Sequence, residues 1–207
     1  ERGLAHLAAG GGEEIWLVLD ESDLRKPYAE EMPDLMQVRD LDGKLVPGYR
    51  TVNVLGMTPG RRGVLYHRLF SSEEEGFGSE PQEVQKALQA VSQGLEGMKA
   101  SCTASWIVDR GFDDVAVWRT MWEQGERVVC RLKHRERVID YQDREGCWQR
   151  GDVEEAERQI RALAVAETEM VVRRRRQRKA KRQRILAQIG ACPIRLTYKT
   201  NVRRESI

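Results

Sequence analysis

Bulky apolar residues run without a break from Ile15 to Leu19 and stop at Asp20. That length and composition predict a strand covered on both faces. Asp42-Gly43, within "DLDGKLVPGY", marks a hairpin turn. After it, "RTVNVLGM" and "GVLYHRLF" predict two more strands joined at Pro59-Gly60, so three strands in succession most simply form an antiparallel meander. Ser79 with Gln82 is a capping-box pattern, and Pro81 fits a first helical turn. Val84, Leu88, Val91, Leu95 and Met98 then recur at steps of three and four, the signature of a helix with one apolar face. The short apolar run of "SWIVDRGFDD" ends in Asp109, as the first strand ended in Asp20. "DDVAVWRTMWEQG" predicts a second helix with Val115, Trp118 and Trp122 toward the core and Gly125 as its stop. "RVVCRLK" completes the series as a fifth strand, giving the order β-β-β-α-β-α-β with no internal repeat.

Composition adds an asymmetry. The 207 residues suffice for one good core and a smaller appendage. Lys and Arg exceed Asp and Glu by only two, yet nine of the twelve positions from Arg173 to Arg184 are basic, so the remainder is net acidic. Such a block implies a polyanion partner or a solvated segment. Cys102, Cys130, Cys147 and Cys192 form no C-x-x-C pair and have no histidine at zinc-finger spacing. They read as reduced thiols of a cytosolic protein. With no long apolar run and no signal-peptide pattern, no membrane role is expected. Gly10-Gly11-Gly12 reads as a linker into the first strand, and the start at Glu1 suggests a piece of a longer protein.

The predicted element order is that of the ribonuclease-H-like α/β fold, a mixed five-stranded sheet whose first and fourth strands are parallel neighbours. Strands so paired lie about 4.8 Å apart, which would bring Asp20 and Asp109 to one sheet edge. Two carboxylates that close repel unless a cation lies between them, and Mg²⁺ (or Mn²⁺) takes hard oxygen ligands. A pair of such ions about 4 Å apart serves phosphoryl transfer. An aspartate after a strand is also an ordinary turn former, and residue types and order leave both readings open.

Four segments carry a resemblance. "LVLDESDLRKP", "DLDGKLVPGY", "LFSSEEEGFGSE" and "WIVDRGFDD" together resemble, in order and spacing over Trp16 to Arg137, the DDE transposases of bacterial insertion sequences. "DRGFDD" matches that family's second acidic motif, and Asp20 with Ser22 its first, with Asp23 as the rival ligand. The resemblance implies that Asp20 and Asp109 are catalytic metal ligands. It also implies Mg²⁺-dependent hydrolysis at the ends of an element and attack of the freed 3′-hydroxyl on target DNA. The partner would be double-stranded DNA, bound by a homodimer at the nucleoid. The family's third acid is a glutamate in Y-x2-R-x3-E-x6-K on a later helix, and that pattern is absent. Tyr198 has Asn201 in place of the arginine, and Glu205 falls on an expected strand exit. The third acid is therefore expected beyond Ile207. The family's β-rich insertion would begin here, dividing the chain into a linker (1–13), an incomplete catalytic core (14–150) and the start of a basic insertion (151–207).

Several cations are candidate DNA contacts, each with a plainer role available. Arg110 follows the acid directly but could pair with Asp113 or Asp114, and Lys26 lies near the first acid but could be merely solvated. Arg131, Lys133 and Arg135 (beside His134 and Arg137) form either a DNA track or a charged edge strand. The block Arg173, Arg174, Arg175, Arg176, Arg178, Lys179, Lys181, Arg182 and Arg184 would make DNA binding steeply salt-dependent. Propensity would extend a helix begun near Asp152 through this block, whereas the resemblance favours a hairpin turning near Lys179 to Lys181. Glu73, Glu74 and Glu75 read as solvated, and Glu80 as a helix-capping acid. Two other functions fit the same residues: a structure-specific nuclease that cuts without joining, and an inactive DNA-binding module.

Overall fold

Alternation along β1 (Glu14–Arg25) sets the frame of the protein. Ile15, Leu17 and Leu19 are fully buried on one face of the strand, while Trp16 and Asp20 are exposed on the other. The computed structural model describes residues 7, 14–96, 102–160, 162–172, 181–199 and 204–206. Within them the chain forms two compact units, Glu1–Lys133 and His134–Ile207.

The first unit holds a mixed sheet of six strands, one more than expected. Four strands precede the first long helix instead of three: β1, β2 (Met36–Arg39), β3 (Leu45–Thr58) and β4 (Arg61–Phe70). The additional one is β2, which pairs antiparallel with the first residues of β3. Four residues with a single apolar alternation, Met36 and Val38, were too short a pattern to stand out in the sequence. β3 is long because it continues through Pro47-Gly48. Gly48 passes between two neighbours so closely that a Cβ would lie 2.4 Å from the Leu24 carbonyl oxygen and 2.5 Å from Val38 Cγ2. The hairpin turn expected at Asp42-Gly43 is present, with Gly43 at φ 82°.

β1 pairs antiparallel with β3 and parallel with β5 (Thr103–Val108), and β6 (Arg127–Cys130) extends the sheet parallel to β5. Helix α1 (Glu80–Leu95) starts where the capping pattern placed it, with Ser79 Oγ accepting from the Gln82 N–H. Val84, Leu88, Val91 and Leu95 are all buried, and Met98 lies outside the described residues. Helix α2 (Val115–Glu123) buries Trp118 and Met121 and leaves Val115 and Trp122 half-buried. The core formed by α1, Met121 of α2 and the odd-numbered side chains of β1 includes Val52, Val54, Trp106 and Val108. Trp106 donates its indole N–H to Glu126 Oε2 at 2.6 Å, and Ser92 Oγ donates to the same oxygen at 2.9 Å. The opposite sheet face carries Trp16, Ile107 and Val129 partly exposed, and Asp20 belongs to that face.

In the second unit, β7 (Val138–Gln142), β8 (Trp148–Asp152), β11 (Ile194–Lys199) and β12 (Arg204–Ser206) form a four-stranded sheet in the order β12-β11-β7-β8. Helix α3 (Val153–Gln159) is capped by Asp152, and Val153 and Ala156 are buried. β9 (Ala162–Val172) and β10 (Lys181–Gly190) pair antiparallel, with Val172 opposite Lys181. The helical continuation of α3 into the basic block is thereby excluded: the chain pairs as a strand up to Val172 and again from Lys181, within the block. Residues 173–180 lie outside the described residues. The division between units falls after Lys133, earlier in the chain than the boundary expected at 150. The cysteines are free thiols.

Candidate active site

β1 and β5 bring the two acids together. The parallel register runs from Glu14–Thr103 to Leu19–Val108, so Asp20 and Asp109 each stand one residue past the same final pair. Both line one open cavity of about 500 Å³, walled by Val18, Leu55 and Ile107 and bordered by Asn53. Asp20, Val18 and Ile107 share the sheet face away from α1, which the alternation of β1 required.

Each carboxylate is held by a neutral donor. Ser22 Oγ donates to Asp20 Oδ2 at 2.9 Å. The Gly111 N–H donates to Asp109 Oδ1 at 2.7 Å, so Asp109 caps the short 3-10 turn Arg110–Phe112. One oxygen of each acid, Asp20 Oδ1 and Asp109 Oδ2, carries no hydrogen bond among the described residues. Hard, anionic oxygens left over in this way suit a divalent cation of the Mg²⁺ type. Among the described residues no group of three or more His, Cys, Asp or Glu side chains is arranged to hold a metal, so the pair supplies two protein ligands only.

Gly111 explains the glycine after Asp109-Arg110. A Cβ there would meet Asp109 Oδ1 at 2.9 Å, against the atom that the Gly111 N–H holds in place. Gly111→Ala is therefore expected to turn the Asp109 carboxylate. Mn²⁺ binding should weaken about tenfold, as for other losses of a ligand's supporting contact, with the thermal unfolding temperature nearly unchanged. Titration calorimetry beside a melting curve checks both.

The strand end is strongly anionic on its other face as well. Burial pushes the Glu21 carboxyl above the usual carboxylate range; Arg50 opposes the shift, and Glu80, Asp20 and Asp109 add to it. Arg50 pairs with Glu80, tying β3 to the start of α1, and with Asp23 Oδ1 at 3.3 Å. Asp23 Oδ2 also accepts the Arg39 N–H at 3.3 Å. Asp23, the sequence rival for the ligand role, is thus committed to Arg50 and Arg39 on the face of β1 opposite Asp20. Glu80 does more than cap a helix, and the sequence carried no sign of its partner.

The candidate cations separate. Lys26 is half-buried, and its backbone N–H donates to the Pro47 carbonyl at 2.7 Å. Arg110 is exposed and pairs with neither nearby acid among the described residues. Asp113 Oδ2 instead accepts the Lys133 N–H at 2.6 Å, and Asp114 caps α2 through the Ala116 N–H at 2.8 Å. Arg131 and Lys133 are exposed past the end of β6, which pairs with β5 up to Val108–Cys130 and so ends at the edge that carries Asp109. Arg135 belongs to the second unit and pairs with Glu157. Of the basic block, Lys181, Arg182 and Arg184 lie on β10, whereas Arg173, Arg174, Arg175, Arg176, Arg178 and Lys179 lie outside the described residues. Glu205 stands at the motif's spacing from Tyr198, yet it sits on strand β12 paired with Tyr198 itself, not on a helix.

Compared with known proteins, the sequence matches no family model and no curated protein.

Proposed function

We propose that the first unit is the two-acid part of a ribonuclease-H-like catalytic core that cuts and joins DNA strands, as in a DDE transposase. The observation that supports this reading best is the exit of Asp20 and Asp109 from adjacent parallel strands onto one face, each with an unengaged oxygen. In the proposal these oxygens hold Mg²⁺ or Mn²⁺, which when bound would polarise the phosphodiester and activate the attacking oxygen. The chain's own residues orient the ligands: Ser22 fixes Asp20 and Gly111 fixes Asp109, beside an apolar wall of Val18, Leu55 and Ile107. Arg110, Arg131 and Lys133 lie at the same edge and would neutralise phosphates flanking the site. A third acid is taken to lie beyond Ile207.

Two carboxylates bind Mg²⁺ poorly, because the ion dehydrates reluctantly. Residues 1–207 are therefore expected to bind DNA without nicking or joining it. A chain continued through a third acid should do both when supplied with duplex element ends, a target and Mg²⁺. Cleavage without joined products would instead assign a nuclease. Metal-dependent cleavage by residues 1–207 alone, lost in Asp109→Ala, would contradict the placement of the third acid.

The basic block is the proposed duplex contact. Each phosphate neutralised contributes about −0.9 to the slope of log affinity against log salt. Replacing Arg173, Arg174, Arg175 and Arg176 by Gln should flatten that slope by about 3.6 units if each contacts one phosphate. A salt titration by fluorescence anisotropy reads it, and an unchanged slope would assign the contacts elsewhere.

A further inference from the structure

β3 places a side chain beside Asp20 whose hydrogen bonding leaves something over. Asn53 is the register partner of Asp20, on the same face of the sheet and at the same cavity. Its Nδ2 donates to Thr51 Oγ1 at 3.1 Å, and Thr51 Oγ1 donates to the Ser22 carbonyl at 3.2 Å. A hydroxyl whose proton is engaged by a carbonyl can only accept from the amide, so the NH₂ end of Asn53 faces Thr51. Its Oδ1 then faces His67 Nδ1, 2.7 Å away on β4. Opposite a carbonyl oxygen, that ring nitrogen must carry the proton. Three bonds thus fix both the amide orientation and the imidazole tautomer, with every donor pointing from β4 toward β1. An asparagine has two amide N–H donors. One is used on Thr51, and the other has no protein partner among the described residues.

The acids alone would repel a phosphodiester. A neutral donor on the strand next to Asp20 is the group that can hold an anionic oxygen without displacing a cation. We propose that Asn53 donates its second amide N–H to a non-bridging oxygen of the nucleic-acid phosphodiester held at the Asp20–Asp109 pair, with Thr51 and His67 as positioning residues. This rests on the reading that the acid pair holds a divalent cation for a nucleic-acid strand. Asn53 is then a binding residue for the phosphate, and His67 acts through it.

The test uses residues 1–207 and two readouts: Mn²⁺ binding by calorimetry, and the gain in affinity for a short DNA duplex that Mn²⁺ produces, by anisotropy. Asn53→Asp is isosteric but replaces the donor by a third carboxylate. It should strengthen Mn²⁺ binding while cutting the Mn²⁺-dependent gain in DNA affinity about tenfold, the size of one hydrogen bond to a charged group. Asn53→Ser removes the amide without adding charge; it should leave Mn²⁺ binding unaltered and lose the same gain. His67→Leu should behave as Asn53→Ser, while His67→Gln, which retains an N–H donor, should restore the wild-type gain. Melting curves verify that each variant folds. A wild-type gain in both Asn53 variants overturns the proposal, and identical behaviour of His67→Leu and His67→Gln removes His67 from it. If the unaltered chain shows no saturable Mn²⁺ site sensitive to Asp20→Asn, the reading of the acid pair fails, and this proposal fails with it.

Discussion

Asp20→Ala and Asp109→Ala are each expected to weaken Mn²⁺ binding by residues 1–207 about a hundredfold or more, and the double variant should bind no worse than either single one. Among the described residues the proposed site offers an ion two carboxylates, and one carboxylate alone is little better than solvent for a hard cation. Because both ligands serve one ion, the losses should be strongly non-additive. Calorimetric titration of the three variants measures this directly. A second consequence separates ligand loss from unfolding. Glu21 keeps its proton to higher pH in the folded chain, chiefly because it is buried, with Asp20 and Asp109 adding to the shift. An acid with a raised folded pKa binds its proton more tightly in the native state than in the unfolded chain. Its contribution to stability is therefore greatest at low pH and falls as pH rises from the ordinary carboxylate range through the raised value. Removing either aspartate should lessen that fall, so the decline of melting temperature from acidic to neutral pH should be slightly shallower in both variants.

Trp106→Ala should be the most destabilising single change in the first unit. Trp106 is fully buried at the centre of β5, between the strand that carries Asp20 and the edge strand β6. Truncating a buried tryptophan costs about 3–5 kcal/mol. Here it also removes the indole donor from the buried carboxylate of Glu126. Against a typical domain stability of about 5–15 kcal/mol, the variant should be close to unfolding. Trp106→Phe retains most of the volume and isolates the lost donor, at about 1–3 kcal/mol. Urea unfolding monitored by far-ultraviolet dichroism distinguishes the two. A loss below about 1 kcal/mol for Trp106→Ala would contradict the packing described for this strand.

The parts of this fold that were legible in the sequence are those governed by local pattern. The Ile15–Leu19 run, the Ser79 cap and the apolar stripe of α1 each needed only a few adjacent residues to declare themselves. Asp20 and Asp109 were legible for the same reason, each standing at the end of a short apolar run. What remained hidden depends on register. Asn53 and His67 lie on strands whose sequence gives no hint of which residue will stand beside Asp20, because the pairing of β1 with β3 is set by the whole sheet. Arg50 joins Glu80 and Asp23 across three elements, and no spacing rule links them. The four residues of β2 carry too little periodicity to mark a strand, and Pro47-Gly48 looks in the sequence like a break that shortens β3. In the structure that dipeptide is where β3 threads between Leu24 and Val38. The basic block shows the limit of local propensity: a helix extended from α3 is a fair local reading, but β9 ends at Val172 and β10 pairs back from Lys181, inside the block.

The central claim is that Asp20 and Asp109 share one cation. Anomalous diffraction from crystals of residues 1–207 soaked in Mn²⁺ tests it most directly. The account predicts one peak at the strand ends, about 2.1 Å from an oxygen of each carboxylate, as in octahedral Mg²⁺-type coordination. That peak should be absent in Asp109→Ala. A peak bound by Asp23 or Glu80, or none at the pair with Mn²⁺ bound elsewhere, would contradict it.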